Sequence, residues 1–175
     1  MPAPLTATPR MIVAKRPDIL KQVISDLANH DAVHFISHGD WNLFDFFNLA
    51  LVEMAPCALW LCTYAIYEYP IRQILLAQQA GQLTDVHMII DSRSRVRNPS
   101  TLALAKNIAN KIALTACHAK VMVLQKEDKA ITLIGSQNWT KNPRIETGIA
   151  TRDTTVATFH TDWMTKVLEG LDAFE

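Results

Sequence analysis

Residues 57–64, Cys-Ala-Leu-Trp-Leu-Cys-Thr-Tyr, restrict the fold more than any other stretch of the chain. The run is apolar at consecutive positions and has the length of a strand, which describes a strand covered on both faces. A second such run, Asp-Val-His-Met-Ile-Ile-Asp at residues 85–91, follows after one helical pattern. A strand buried on both sides needs layers above and below it, and parallel neighbours need crossover segments between them.

The remaining patterns supply those crossovers. After Pro17, "DILKQVISDL" puts Ile19, Val23, Ile24 and Leu27 on one helical face. "AVHFIS" is a short strand and "WNLFDFFNLALVEM" an amphipathic helix behind it. "EYPIRQILLAQQAG" is a helix with a natural stop at Gly81, and "PSTLALAKNIANKI" another with Pro99 near its start. Residues 154–174 read as a closing helix with Val156, Phe159, Trp163, Val167 and Leu171 facing inward. Strand and helix alternate through the first two thirds, so an α/β layer fold with a mostly parallel sheet at that end is expected. Right-handed crossovers then bring the loops after "WLCTY" and "MIID" to one C-terminal sheet edge.

Composition narrows the function. Lys plus Arg and Asp plus Glu number 17 each, so any anion site is local rather than a general basic surface. The three cysteines, Cys57, Cys62 and Cys117, form no framework, which suits a reducing, cytoplasmic setting. No secretory pattern opens the sequence, and the longest apolar run, around residues 55–66, is broken by Pro56 and too short to span a bilayer. Residues 1–10 are expected to be a flexible arm and residues 11–175 a single domain.

Residues 115–149 carry the chemistry: "TACHAKVMVLQKEDKAITLIGSQNWTKNPRIETGI". Read with period two, "HAKVMVL" projects His118 and Lys120 from one face. "QKEDK" is a turn and "AITLIG" the returning strand. A hairpin symmetric about Glu127 sets His118 opposite Ser136 and Lys120 opposite Ile134. "PRIETGI" is a third strand able to bring Glu146 to the same end. An imidazole, a cation, neutral donors at Ser136 and Asn138 and a carboxylate together suit a phosphoryl oxyanion. No metal-binding spacing is present, so no metal or cofactor is expected.

This segment resembles the phospholipase D superfamily signature, His-x-Lys, then an Asp, then Gly-Ser followed closely by Asn. The matching residues are His118, Lys120, Gly135, Ser136 and Asn138, and "GSQNWTKNPRIE" is similar to the form found in short single-motif bacterial and phage members. The resemblance implies a mixed β-sheet flanked by helices on both faces. It further implies that His118 attacks phosphorus to give a phosphohistidine while a second motif's His protonates the leaving oxygen. Lys120 and Asn138 would hold the phosphoryl oxygens with help from Ser136, and Glu146 would orient an imidazole. With one His-x-Lys in the sequence, two copies must meet, so a homodimer with the site on its twofold axis is expected. The sequence departs from the signature where Gln125 stands in place of the family's Asp. Asp128 lies three positions further on.

Other features have plainer readings. His34 and His87 lie inside apolar strands and read as packing residues; His160 reads as surface or packing, and Cys117 as a small core residue. Arg93, Arg95 and Arg97 form either a solvated loop or a guide for a phosphate backbone. The strand ends "SHGDW" and "TYAIYE" either line the site or pack, and Trp139 either stacks on a base or sugar or is buried. The expected activity is a metal-independent phosphodiesterase, with nucleic acid preferred over lipid because no membrane-inserting segment is evident. The alternatives are a catalytically weakened module that binds nucleic-acid backbone, and a phospholipid hydrolase or transferase.

Overall fold

The computed structural model describes residues 10–14, 17–141 and 143–172. The chain runs β1 (Arg10–Ala14), α1 (Pro17–Asp26), β2 (Ala32–Ser37), α2 (Leu43–Met54), β3 (Cys57–Thr63), α3 (Glu68–Gln79) and β4 (Leu83–Asp91). It continues through α4 (Ser94–Arg97), α5 (Pro99–Ile108), β5 (Lys111–Thr115), β6 (Val121–Lys126), β7 (Lys129–Gly135), β8 (Glu146–Thr151) and α6 (Thr154–Leu168). All the strands join one eight-stranded sheet in the order β1-β2-β8-β7-β6-β3-β4-β5. Two parallel blocks, β1–β2 and β3–β4–β5, flank an antiparallel meander of β6, β7 and β8.

Both faces of the sheet are covered, as the continuous apolar runs require. Leu59 and Leu61 of β3 point into the larger core with α1, α2, α3 and α5, joined there by Val86, Met88 and Ile90 of β4. Trp60 and Cys62 point the other way, toward Ala157 and Met164 of α6. Local signals fix the helix ends. Asn42 caps α2 by accepting from the Phe44 and Asp45 amides at 2.8 and 3.2 Å, while Asp45 accepts from the Asn42 amide at 2.9 Å. Gly81, at φ +70°, lets the chain turn out of α3.

Four expectations need correction. Arg10 opens β1 and does not belong to a flexible arm; residues 1–9 lie outside the described residues. The helix expected through Ile112 stops at Ile108, and "KIALT" becomes β5. Asn110 enforces that stop: its side chain accepts from the Val86 amide at 2.7 Å and its own amide donates to the Val86 carbonyl at 2.8 Å. The face of α6 also differs. Ala157, Thr161 and Met164 are buried, whereas Phe159 is 66% exposed. Leu171, 59% exposed, lies beyond Gly170, whose φ of +73° ends the helical path. His34 alternates outward on β2 and is exposed, so it does not pack in the core.

Candidate active site

The topology delivers the chemistry-bearing residues to one edge of the sheet. β2, β3, β4 and β5 end there at Ser37, Thr63, Asp91 and Thr115; β6 and β8 start there, and β7 ends there at Gly135. This is the C-terminal edge expected from the crossovers, a usual site of function in open α/β sheets.

His118 and Lys120 reach this edge from the connection before β6, not from the strand itself, so the period-two reading does not apply to them. The hairpin register is also one residue from the expected one. Lys126 pairs with Lys129 and Val121 with Ile134, leaving Glu127 and Asp128 as a two-residue turn with Glu127 at φ +49°. Lys120 therefore meets Gly135, whose amide donates to the Lys120 carbonyl at 3.1 Å. The Lys120 side chain is buried at 5% exposure, and its ammonium donates to the His118 carbonyl at 2.6 Å. The same Nζ lies 3.1 Å from His118 Nδ1, while the imidazole itself is exposed. Burial lowers the Lys120 pKa from its ordinary value, opposed by negative charge at Cys117 and Glu146.

Tyr64, just beyond β3, gathers the cations. Its ring lies 5.0 Å from the His118 ring between centroids, with Lys120 Nζ at 5.5 Å, Arg93 Cζ at 4.5 Å and Arg97 Cζ at 5.3 Å. Arg97 also donates to the Tyr64 hydroxyl at 2.7 Å. Arg93 and Arg97 thus join the His118 cluster, whereas Arg95 is exposed and no hydrogen bond or ring contact ties it to Tyr64 among the described residues. The stretch is the short helix α4 rather than an open loop. "TYAIYE" thus places Tyr64 beside His118, with Ile66 buried behind it.

Asp91 is the residue that sequence reasoning missed. It is 1% exposed at the end of β4, where its carboxylate accepts from Arg93 Nε at 2.7 Å, from Arg93 Nη2 at 3.1 Å and from the Cys117 amide at 3.1 Å. It thereby ties α4 to the segment carrying His118. The available signal was an acid closing a buried apolar strand directly before an Arg-rich turn. The Arg93 hydrogen bond holds the carboxyl down to about 2, with burial opposing and the Cys117 and Arg93 amides adding. A depressed carboxylate stabilises the fold above its unfolded pKa, and that contribution is lost as pH falls through the folded value. Asp91→Asn should accordingly unfold about 2 kcal/mol more easily near neutral pH. Urea titrations should show the gap from wild type closing between about pH 4 and about pH 2.

Ser136 and Glu146 bond to each other across β7 and β8, and Ser136 Oγ also accepts from the Thr147 amide at 3.1 Å. Gly135 permits this closeness. A Cβ there would stand 2.8 Å from the Thr147 carbonyl oxygen, a backbone atom that cannot turn aside. Gly135→Ala should cost about 1–3 kcal/mol in chemical denaturation and separate Ser136 from Glu146. Asn138 Oδ1 accepts from the Thr63 hydroxyl at 3.5 Å, and buried Gln137 donates to Ser37 Oγ at 3.0 Å. Trp139 is fully buried with its ring 5.2 Å from Phe47 and 5.8 Å from Phe44, so it is a core residue and offers no face to a substrate.

Gln125 lies at the far end of β6, paired with Ala58 and Ala130. Five residues of strand put it about 16 Å from Lys120, so its side chain does not enter the cluster. Hollows of about 450 and 510 Å³ lie elsewhere, one beside Asn29 and Arg152 and one between Lys21, Trp41 and Lys141. The His118 imidazole is exposed at the sheet edge. Among the described residues, no three His, Cys, Asp or Glu side chains gather as a metal site, and no helix is long and apolar enough to cross a membrane.

A family model described as "Cardiolipin synthase, PLD-like domain" matches residues 49–168, which contain His118, Lys120, Ser136, Asn138 and Glu146. A crystal structure of polyphosphate kinase from Porphyromonas gingivalis has a similar fold, with a TM-score of 0.65 at 17% identity over 98% of this chain. The chain spans 32% of that kinase's length. No curated protein matches the sequence. The match over about two thirds of its residues places the chain in the PLD-like domain family of the phospholipase D superfamily, a superfamily of phosphoryl-transfer proteins.

Proposed function

We propose that this chain is a metal-independent phosphodiesterase acting on nucleic acid through a phosphohistidine at His118, in a site completed by a second copy of the chain. The observation that carries the reading is the pairing of an exposed imidazole with a buried ammonium 3.1 Å from its Nδ1, set among Tyr64, Arg93 and Arg97. A chain with no net formal charge concentrates cations around Tyr64, where a phosphodiester would dock.

The chemistry follows from the proton positions. While the ammonium donates to Nδ1, a neutral ring carries its proton on Nε2 and has no lone pair there for attack. A phosphoryl oxygen draws the ammonium to itself, freeing Nδ1 to hold the proton and Nε2 to attack phosphorus. The P–N bond forms as the bond to the leaving oxygen breaks, and that oxygen takes a proton from the His118 of the second copy. The now neutral second imidazole removes a proton from water. Water attacks phosphorus, the P–N bond breaks, and His118 is restored. Lys120, Asn138 and Ser136 stabilise the charge on the phosphoryl oxygens, and Glu146 holds an imidazole proton.

The family description favours one second reading, transfer or hydrolysis at a phospholipid headgroup. Purified chain in EDTA should hydrolyse bis(p-nitrophenyl) phosphate and cut DNA or RNA. Cleavage of anionic liposomes with nucleic acid untouched would favour the lipid reading. Retardation of DNA without any hydrolysis would favour a binding module.

A further inference from the structure

We propose that Cys62 and Cys117 form a reversible dithiol–disulfide site that shifts His118, with a peroxide as oxidant. The consequence for turnover rests on the proposed phosphodiesterase function; the site itself does not. The two Sγ atoms lie 3.0 Å apart and all the cysteines are free thiols. Cys62 is fully buried near the end of β3, two residues before Tyr64. Cys117 is half-buried and directly precedes His118, so an oxidant reaches Cys117 first. Its thiol is lowered to about 7, chiefly by the hydrogen bond from Cys62, with the Ala119 backbone and the Lys120 charge assisting against burial and Asp91. The Cys62 thiol is raised by that same bond and by burial, so Cys117 is the nucleophile of the pair.

The oxidation balances in two steps. The Cys117 thiolate attacks a peroxide oxygen, giving a sulfenic acid and hydroxide; the Cys62 thiol then attacks the sulfenic sulfur, forming the S–S bond and releasing water. Two electrons pass from the dithiol to the peroxide, and a thiol reductant returns them by exchange. A disulfide requires the sulfurs to close to about 2.05 Å, a movement of about 1 Å. Cys117 is one peptide bond from His118 and its amide is anchored on Asp91, so this movement is delivered to the imidazole. Displacement of that size is enough to cost on the order of 100-fold in a positioned reaction. Cys57 is an internal control, since it lies at the opposite end of β3 and burial pushes its thiol up to about 11.

The test uses the full chain, hydrogen peroxide, and alkylation followed by peptide mass mapping. A parallel sample follows the His118 ring by NMR. The expected result is a Cys62–Cys117 cross-linked peptide with Cys57 still alkylated, a displaced His118 ring signal, and a drop in diester hydrolysis of about tenfold or more. Dithiothreitol should reverse all of these. Cys117→Ser, and independently Cys62→Ala in case one variant misfolds, should hold the His118 signal and the activity constant under peroxide. Uniform oxidation of the cysteines, or a disulfide that leaves the His118 signal in place, would overturn the proposal. Absence of diester hydrolysis before oxidation, with the cross-link and ring shift present, would sink the proposed function alone.

Discussion

His118→Ala should abolish diester hydrolysis, with a loss on the order of 10⁴–10⁶-fold, the scale seen when a covalent nucleophile is removed. Three of the other histidines are placed or engaged elsewhere. His34 is exposed on β2, His87 stacks on Trp60 with ring centroids 4.1 Å apart, and His160 accepts from Trp163 Nε1 on α6. The loss should appear entirely in the chemical step. Because the ring is exposed, its removal should change unfolding free energy by no more than about 0.5 kcal/mol. A variant that folds normally and retains turnover within tenfold of wild type would assign the chemistry to another group.

The second large effect belongs to Lys120. Lys120→Met keeps the length and apolar stem of the side chain but removes the charge, and kcat should fall by about 10²–10³-fold, the usual cost of deleting one donor to a developing oxyanion. Stability should move the other way or not at all, since an ammonium buried to 5% exposure is replaced by a group with no desolvation cost. Opposite signs for rate and stability separate this outcome from simple misfolding. Thermal unfolding and steady-state kinetics on the same preparation provide the check. Equal falls in both quantities would mean that Lys120 serves the fold.

Much of this arrangement was legible because it follows from patterns with strong physical causes. The doubly covered strands β3 and β4 show as unbroken apolar runs, and the shared C-terminal edge follows from their parallel direction. The His118, Lys120, Ser136, Asn138 and Glu146 segment shows as residue types in a fixed order. What stayed hidden depends on tertiary contacts. "NKIALT" suits a helix as well as a strand, and only Asn110 bonding to Val86 decides for β5. The hairpin register turns on a single residue of the Glu127–Asp128 turn, which apolar alternation does not count. On α6 the small Ala157 and Thr161 allow close approach to the sheet, and this outweighs the larger Phe159. Asp91 lacks a motif altogether, since its importance comes from meeting Arg93 and the Cys117 amide in space.

The position of Gln125 adds a functional point. With the residue about 16 Å from Lys120 along β6 and paired with Ala58 and Ala130, the departure from the family Asp lies away from the His118 cluster.

Subunit mixing tests the shared site most directly. Wild-type chain is co-refolded with a tenfold excess of His118→Ala chain, and diester hydrolysis is compared with the same amount of wild type refolded alone. If each site takes one imidazole from each of two copies, random pairing buries nearly every wild-type chain in a dead dimer. The expected activity is then on the order of one tenth of the unmixed value. Activity unchanged by the excess would mean that a single chain carries out the reaction unaided, and would contradict the two-copy site.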